Sequence, residues 1–127
     1  MKTILVDAVN TFVVDKVIDQ KIYYILEKFE NRKIILTNAN DLQMIEFGLI
    51  DLPYELYSLK HNPEKTDPKF FKQFMLQYNL NSTDCIYFEH NPEAVQSAIQ
   101  NEILSFHFDK MVRDYEGLEN FLEENLK

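Results

Sequence analysis

Short apolar runs alternate with longer amphipathic ones along the whole chain, and this alternation limits the fold more than any other feature. Lys2 to Val9 reads as a buried strand ending at Asp7 or soon after. Lys33 to Thr37, Tyr54 to Leu59, Cys85 to Phe88 and Ile103 to Phe108 read as four more strands. Asp15 to Phe29 carries Val17, Ile18, Ile22, Ile25, Leu26 and Phe29 at helical spacing. Asn40 predicts the cap of a short helix running to about Phe47, which Gly48 ends. Asp67-Pro68 and Asn91-Pro92 each set a capping side chain before a first-turn proline. The first of these opens a helix bearing Phe70, Phe71, Phe74, Met75 and Tyr78, and the second a helix bearing Val95, Ala98 and Ile99. Asp114 caps a last helix with Leu118, Phe121, Leu122 and Leu126 on its apolar face.

Strands alternating with helices imply a five-stranded parallel sheet covered on both faces, a three-layer α/β/α Rossmann-like arrangement. The expected organisation is one domain over residues 1–127. Right-handed crossovers put every strand C-terminus on one edge, where open α/β sheets bind ligands.

Bulk properties remove several classes of function. The net charge is −8 and no Lys/Arg cluster stands out, so neither nucleic acid nor an anionic membrane is an expected partner. No apolar run reaches the roughly 18 residues of a membrane span. The first residues, Met1 to Asp7, lack the length and cleavage site of a signal peptide. The single cysteine, Cys85, lies in an apolar run and reads as a buried thiol, which suits a reducing cytoplasm. Only two glycines are present, Gly48 and Gly117, so a glycine-rich phosphate cradle is excluded.

Chemistry-bearing residues gather at the strand ends. Asp7, Asn10 and Thr11 follow the first strand, and Thr37 and Asn38 the second. Lys65 lies beyond the third, and Glu89, His90 and Asn91 follow the fourth. A carboxylate can attack phosphorus, while a hydroxyl and an ammonium hold the phosphoryl oxygens. A second carboxylate with a divalent cation offsets the charge. This set suits phosphoryl transfer through an aspartyl-phosphate.

Ile4-Leu5-Val6-Asp7-Ala8-Val9-Asn10-Thr11 resembles the first motif of the haloacid dehalogenase (HAD) hydrolase superfamily, a strand followed by Asp-x-Asp-Gly-Thr. Ile34 to Asn38 resembles the second, a strand ending in Thr or Ser. Lys65-Thr66-Asp67-Pro68-Lys69-Phe70-Phe71 is similar to the third, and Ile86 to Val95 to the fourth, strand-Asp-Asp-Ser-x-x-Asn-Val. The resemblance implies sheet order 5-4-1-2-3, a site above the first and fourth strands, and no cap domain. It also implies Asp7, Thr37 and Lys65 as catalytic residues and Asn10, Thr11 and Asn38 as substrate-binding. Magnesium would sit at Asp7, the Val9 carbonyl, Glu89 and His90, with a small phosphorylated molecule or phosphate as partner.

The departures from the motifs matter equally. The general acid/base position holds Val9, which cannot move a proton, a loss worth about 10²–10⁴ in rate. His90 replaces an acid at the metal position and weakens the site, because magnesium prefers oxygen ligands. A softer ion such as zinc on Asp7, Glu89 and His90 is the alternative. Asn10 replaces the motif's glycine, and asparagine tolerates a left-handed backbone. Haloacid dehalogenases and phosphonoacetaldehyde hydrolases also lack the second aspartate, but they bring essential residues on a helical cap that this chain has no room for. The expectation is a HAD-like hydrolase, weak or inactive as a phosphatase. The alternatives are a non-catalytic interaction or phosphate-binding module with a possible protein partner, and an active hydrolase drawing its acid/base from Asp15, Glu89 or His90. His61 reads as exposed and His107 as a strand residue, neither with a visible partner.

Overall fold

The computed structural model describes residues 1–126. In chain order the elements are β1 (Thr3–Asp7), β2 (Val13–Val14), β3 (Val17–Ile18), α1 (Gln20–Leu26), β4 (Lys33–Thr37) and α2 (Asp41–Glu46). They continue with β5 (Glu55–Ser58), α3 (Lys69–Tyr78), β6 (Cys85–Glu89), α4 (Pro92–Gln100), β7 (Leu104–His107) and α5 (Tyr115–Leu126).

Five strands pair in parallel in the order β5-β4-β1-β6-β7, and β2 and β3 form a separate antiparallel ribbon. Counting sheet strands alone and reading from β7, this is 5-4-1-2-3. The central strands are buried on both faces, as the alternation requires. Side chains of successive strand residues point to opposite faces. Ile4, Val6, Ile35, Ile86 and Phe88 pack with α1 and α5 through Ile22, Leu26, Leu118 and Leu122. Leu5, Ile34, Leu36 and Tyr87 pack on the other face with Phe70, Phe71 and Phe74 of α3 and Ala98 of α4.

The segment expected as one helix from Asp15 divides. Val13-Val14 and Val17-Ile18 pair across Asp15 and Lys16, both left-handed at φ 50° and 68°, and the helix begins only at Gln20. Two β-branched pairs flanking a two-residue turn favour a hairpin over a helical turn. The ribbon's tip rests on Gly48, where an added Cβ would lie 2.8 Å from the Lys16 Cα and carbonyl oxygen. Asp19 caps α1 instead, accepting from the Lys21 and Ile22 amides at 2.9 and 3.1 Å.

The other caps follow the sequence. Asn40 and Gln43 form a reciprocal capping box on α2, and Asn91 caps α4 with Pro92 at its first turn. Asp67 accepts the Lys69 amide at 2.9 Å, but α3 starts one residue later than expected, behind Pro68. Among the described residues, no helix is long and apolar enough to cross a membrane.

Candidate active site

Val6 pairs with Phe88 across β1 and β6, so the residues that follow them, Asp7 and Glu89, end side by side on the sheet's C-terminal edge. The two-residue pleat aims both toward the α3 side, together with Leu5 and Tyr87. The loop before α3 then delivers Lys65 between them. Its Nζ donates to Asp7 Oδ1 at 2.6 Å, Glu89 Oε1 at 2.8 Å and the Leu36 carbonyl at 3.3 Å. Its backbone amide donates to Asn38 Oδ1 at 2.7 Å, which ties that loop to the end of β4.

His90 closes the ring of charges. Its Nδ1 lies 2.5 Å from Asp7 Oδ2 and 3.2 Å from Glu89 Oε2. The Thr11 hydroxyl donates to Asp7 Oδ2 at 2.6 Å. Tyr87 donates its phenolic proton to Glu89 Oε1, and the Asn91 amide donates to Glu89 Oε2 at 3.0 Å. Every oxygen of the two carboxylates therefore accepts at least one hydrogen bond, and Asp7 and Glu89 are 1% and 0% exposed. Groups so buried persist as ions only when paired this completely.

The protonation states follow from this packing. Burial opposes the charged form of Asp7, but the Lys65 ammonium and the His90 ring outweigh it and hold the carboxyl well below the usual carboxylate range. Burial opposes the Lys65 ammonium too, and the charges of Asp7 and Glu89 raise it above its ordinary value. For His90, burial is again overcome, here by hydrogen bonds to Asp7 and Glu89 that raise it to about 9. The ring is therefore an imidazolium at neutral pH, donating from Nδ1 to Asp7. Burial and the Glu89 charge push the Tyr87 phenol well above its usual range, which keeps it a neutral donor.

A cavity of about 140 Å³ opens beside this ring, lined by Asp7, Val9, Thr37, Asn38, Lys65 and His90. Glu89 and Asn91 also reach it, and so do His61, Thr66 and Phe47. The side chains of residues 7, 37, 65 and 89 thus converge on one space. Thr37 is buried, its hydroxyl oxygen accepting the Ala39 amide at 3.2 Å.

Two residues expected to bind substrate lie elsewhere. Asn10 sits behind Val9 with its carbonyl held by Arg113 Nη1 at 2.9 Å, and Thr11 is fully buried beneath Asp7. Asn10 adopts φ 71°, the left-handed turn that the motif's glycine would supply. Asp15 is at the ribbon tip and does not line the cavity.

Four contributors were not read from sequence. Tyr87 was findable: two residues before Glu89 on a strand, it had to share that face. Arg113 donates to the Asn10 and Thr11 carbonyls and pairs with Asp19 at 2.7 Å, fastening the loop after β1 to the turn before α5. No local pattern marks that long-range contact. His61 and Thr66 come to the cavity because the loop after β5 folds back over it. No partner of His61 was visible in the sequence.

Asp7, Glu89 and His90 place candidate metal-ligand atoms within 4.8 Å of one another. They do not fit magnesium. His90 offers a nitrogen where an oxygen ligand is wanted, and Asp7 Oδ2 already accepts the Thr11 hydroxyl and lies 2.5 Å from His90 Nδ1. Magnesium asks for a near-regular octahedron of oxygens. Zinc would take the same three side chains only in exchange for the His90 proton.

No protein-family model matches the sequence, and no curated protein matches it. Solved structures do resemble it. The core domain of a candidate phosphoglycolate phosphatase from Streptococcus pneumoniae TIGR4 shares 15% identity at a TM-score of 0.56, over 84% of this chain and 79% of that one. An uncharacterized protein from Corynebacterium glutamicum matches at 20% identity and TM-score 0.62, over 94% and 96%. A haloacid dehalogenase-like protein of unknown function from Agrobacterium tumefaciens matches at 13% and 0.63, over 87% of this chain and 62% of that chain. These likenesses show the fold: the chain has the α/β architecture of haloacid dehalogenase-like proteins.

Proposed function

We propose that this chain is a HAD-like hydrolase relative whose phosphohydrolase-type site, with Asp7 in the nucleophile's place, is weak or inert as a phosphatase and keeps the ability to hold a small phosphorylated molecule. The observation that carries this reading is the contact of 2.5 Å between His90 Nδ1 and Asp7 Oδ2. A carboxylate that attacks phosphorus needs a free lone pair and a compensating cation that also binds the incoming phosphoryl group. Here the imidazolium compensates Asp7 directly, and the oxygen it holds is the one Thr11 also holds. Val9 lines the cavity where the family places its acid/base, and it offers neither a proton to a leaving alkoxide nor a lone pair to water.

What remains is suited to binding. The Thr37 hydroxyl and the Asn38 amide face the cavity, and the acidic residues that line it are neutralised from within. The test is hydrolysis of a generic phosphoester by the purified chain with magnesium present. Turnover should fall at least a hundredfold short of the ordinary range of about 1–10³ s⁻¹. A rate inside that range, lost on Asp7→Asn, would overturn the proposal.

A further inference from the structure

Three basic side chains line the cavity, and two of them are already committed. The three protons of Lys65 Nζ meet three acceptors, and His90 Nδ1 is divided between two carboxylates. These two cations and two buried anions cancel, so neither offers an incoming anion unbalanced charge.

His61 is different. Its Nδ1 lies 2.9 Å from Glu64 Oε2 and its Nε2 lies 2.5 Å from Gln43 Oε1. Gln43 Oε1 also accepts the Asn40 amide at 3.1 Å, which fixes that atom as an acceptor. Each ring nitrogen thus faces an acceptor. Its partner carboxylate, Glu64, is half exposed and is not part of the cavity wall, whereas His61, exposed as the sequence suggested, stands at the rim and lines it. The loop is held in a demanding shape to achieve this. Lys60 and His61 are consecutive left-handed residues at φ 51° and 66°, braced by the Lys60–Asp41 ion pair at 3.2 Å and by the Ser58 hydroxyl, which accepts the Lys60 amide at 3.0 Å.

The geometry points to His61 as an anion-recognition residue of this cavity, its Nε2–H leaving the Gln43 amide for an oxygen of a phosphate-sized dianion. This rests on the phosphate-binding reading above and names the group that would confer it. A dianionic oxygen is a stronger acceptor than a neutral amide oxygen, so an N–H donor exchanges toward the ligand. Among the described residues, the Thr37 hydroxyl proton and the Asn38 side-chain N–H groups have no other acceptor on that wall. They complete the ring of donors without Lys65.

The experiment titrates inorganic phosphate into the full chain without added metal. NMR follows the His61 ring nitrogens and the Thr37 and Asn38 amides, and calorimetry compares His61→Gln and Gln43→Ala. The expected result is one binding curve shared by His61 and Thr37. His61→Gln should weaken affinity about tenfold, the weight of one charge-assisted hydrogen bond. Gln43→Ala should tighten it by removing the competing acceptor, which a purely structural strap would not do. If phosphate moves the Thr37 and Asn38 signals, leaves the His61 ring unmoved and binds His61→Gln as well as the parent, the role of His61 is refuted and phosphate binding stands. If no cavity signal moves, both readings fall.

Discussion

Asp7 and Thr37 close adjacent strands of one sheet, yet the walls they belong to differ in most physical respects. On the Asp7 wall, Lys65, Glu89, His90, Thr11 and Tyr87 satisfy one another inside the protein. On the Thr37 wall, the hydroxyl and the Asn38 amide take one backbone proton each and turn their remaining hydrogen-bonding capacity to the cavity. The first wall uses its charges to hold itself together, and the second is left available to a ligand. A catalytic site needs the charges of the first to be as available as the donors of the second.

The largest effect should come from breaking the closed wall. Lys65→Met leaves Asp7 and Glu89 buried without their shared cation, which should cost about 3–5 kcal/mol. Urea denaturation measures it, and a loss under 1 kcal/mol would mean that the network is not what stabilises this edge.

The next change asks whether the closed wall can be reopened to metal. Val9→Asp with His90→Asp removes the His90 ring and places carboxylates where the proposed phosphohydrolase reading puts an acid/base and a metal ligand. Magnesium should then raise the melting temperature of the double variant and leave the parent's unchanged. Phosphoester turnover should rise by about 10²–10⁴. A double variant that ignores magnesium would show that the ring of contacts, rather than those two residues, shuts the site.

Proton linkage gives an intermediate effect. His90 is raised from 6.5 to about 9 in the folded chain, so its stabilisation is complete below pH 6.5 and is lost as pH climbs through about 9. The amount is on the order of 3 kcal/mol. Asp7 is lowered from 3.8, so its contribution is present above that pH and is lost as the solution becomes more acidic. Stability should therefore plateau between these limits, and His90→Asn should flatten the alkaline side. An alkaline slope that survives this substitution would assign the titration to another group.

The smallest effect on stability should come from the open wall. Thr37→Val removes one hydrogen bond to the Ala39 amide and should cost about 1 kcal/mol. Phosphate binding, measured by calorimetry, should nonetheless weaken. A large loss of stability with binding unchanged would reverse the assignment of the two walls.

Much of the fold was legible because it rests on local rules. β4 occupies the expected Lys33–Thr37, and Asn40, Asn91 and Gly48 act where their backbone chemistry suggested. The Asp15–Phe29 segment misled because Val17, Ile18 and Ile22 suit a helical face and a β-ribbon equally. The left-handed turn at Asp15 and Lys16 folds the two valine-bearing pairs into a ribbon, and its tip packs closely on Gly48. Asn10 and Thr11 followed Asp7 in sequence, but the tight turn carried them behind and beneath it, where Arg113 and Asp7 bind them.

The sequence by itself determined the parallel sheet and the edge where polar residues collect, because periodicity and residue type act over a few positions. Only the tertiary structure decided that His90 would turn its protonated nitrogen onto Asp7, that Lys65 would divide its protons among three acceptors, and that His61 would reach the same cavity. Those outcomes depend on which atoms come within 3 Å across separate loops, and no spacing along a chain encodes that distance.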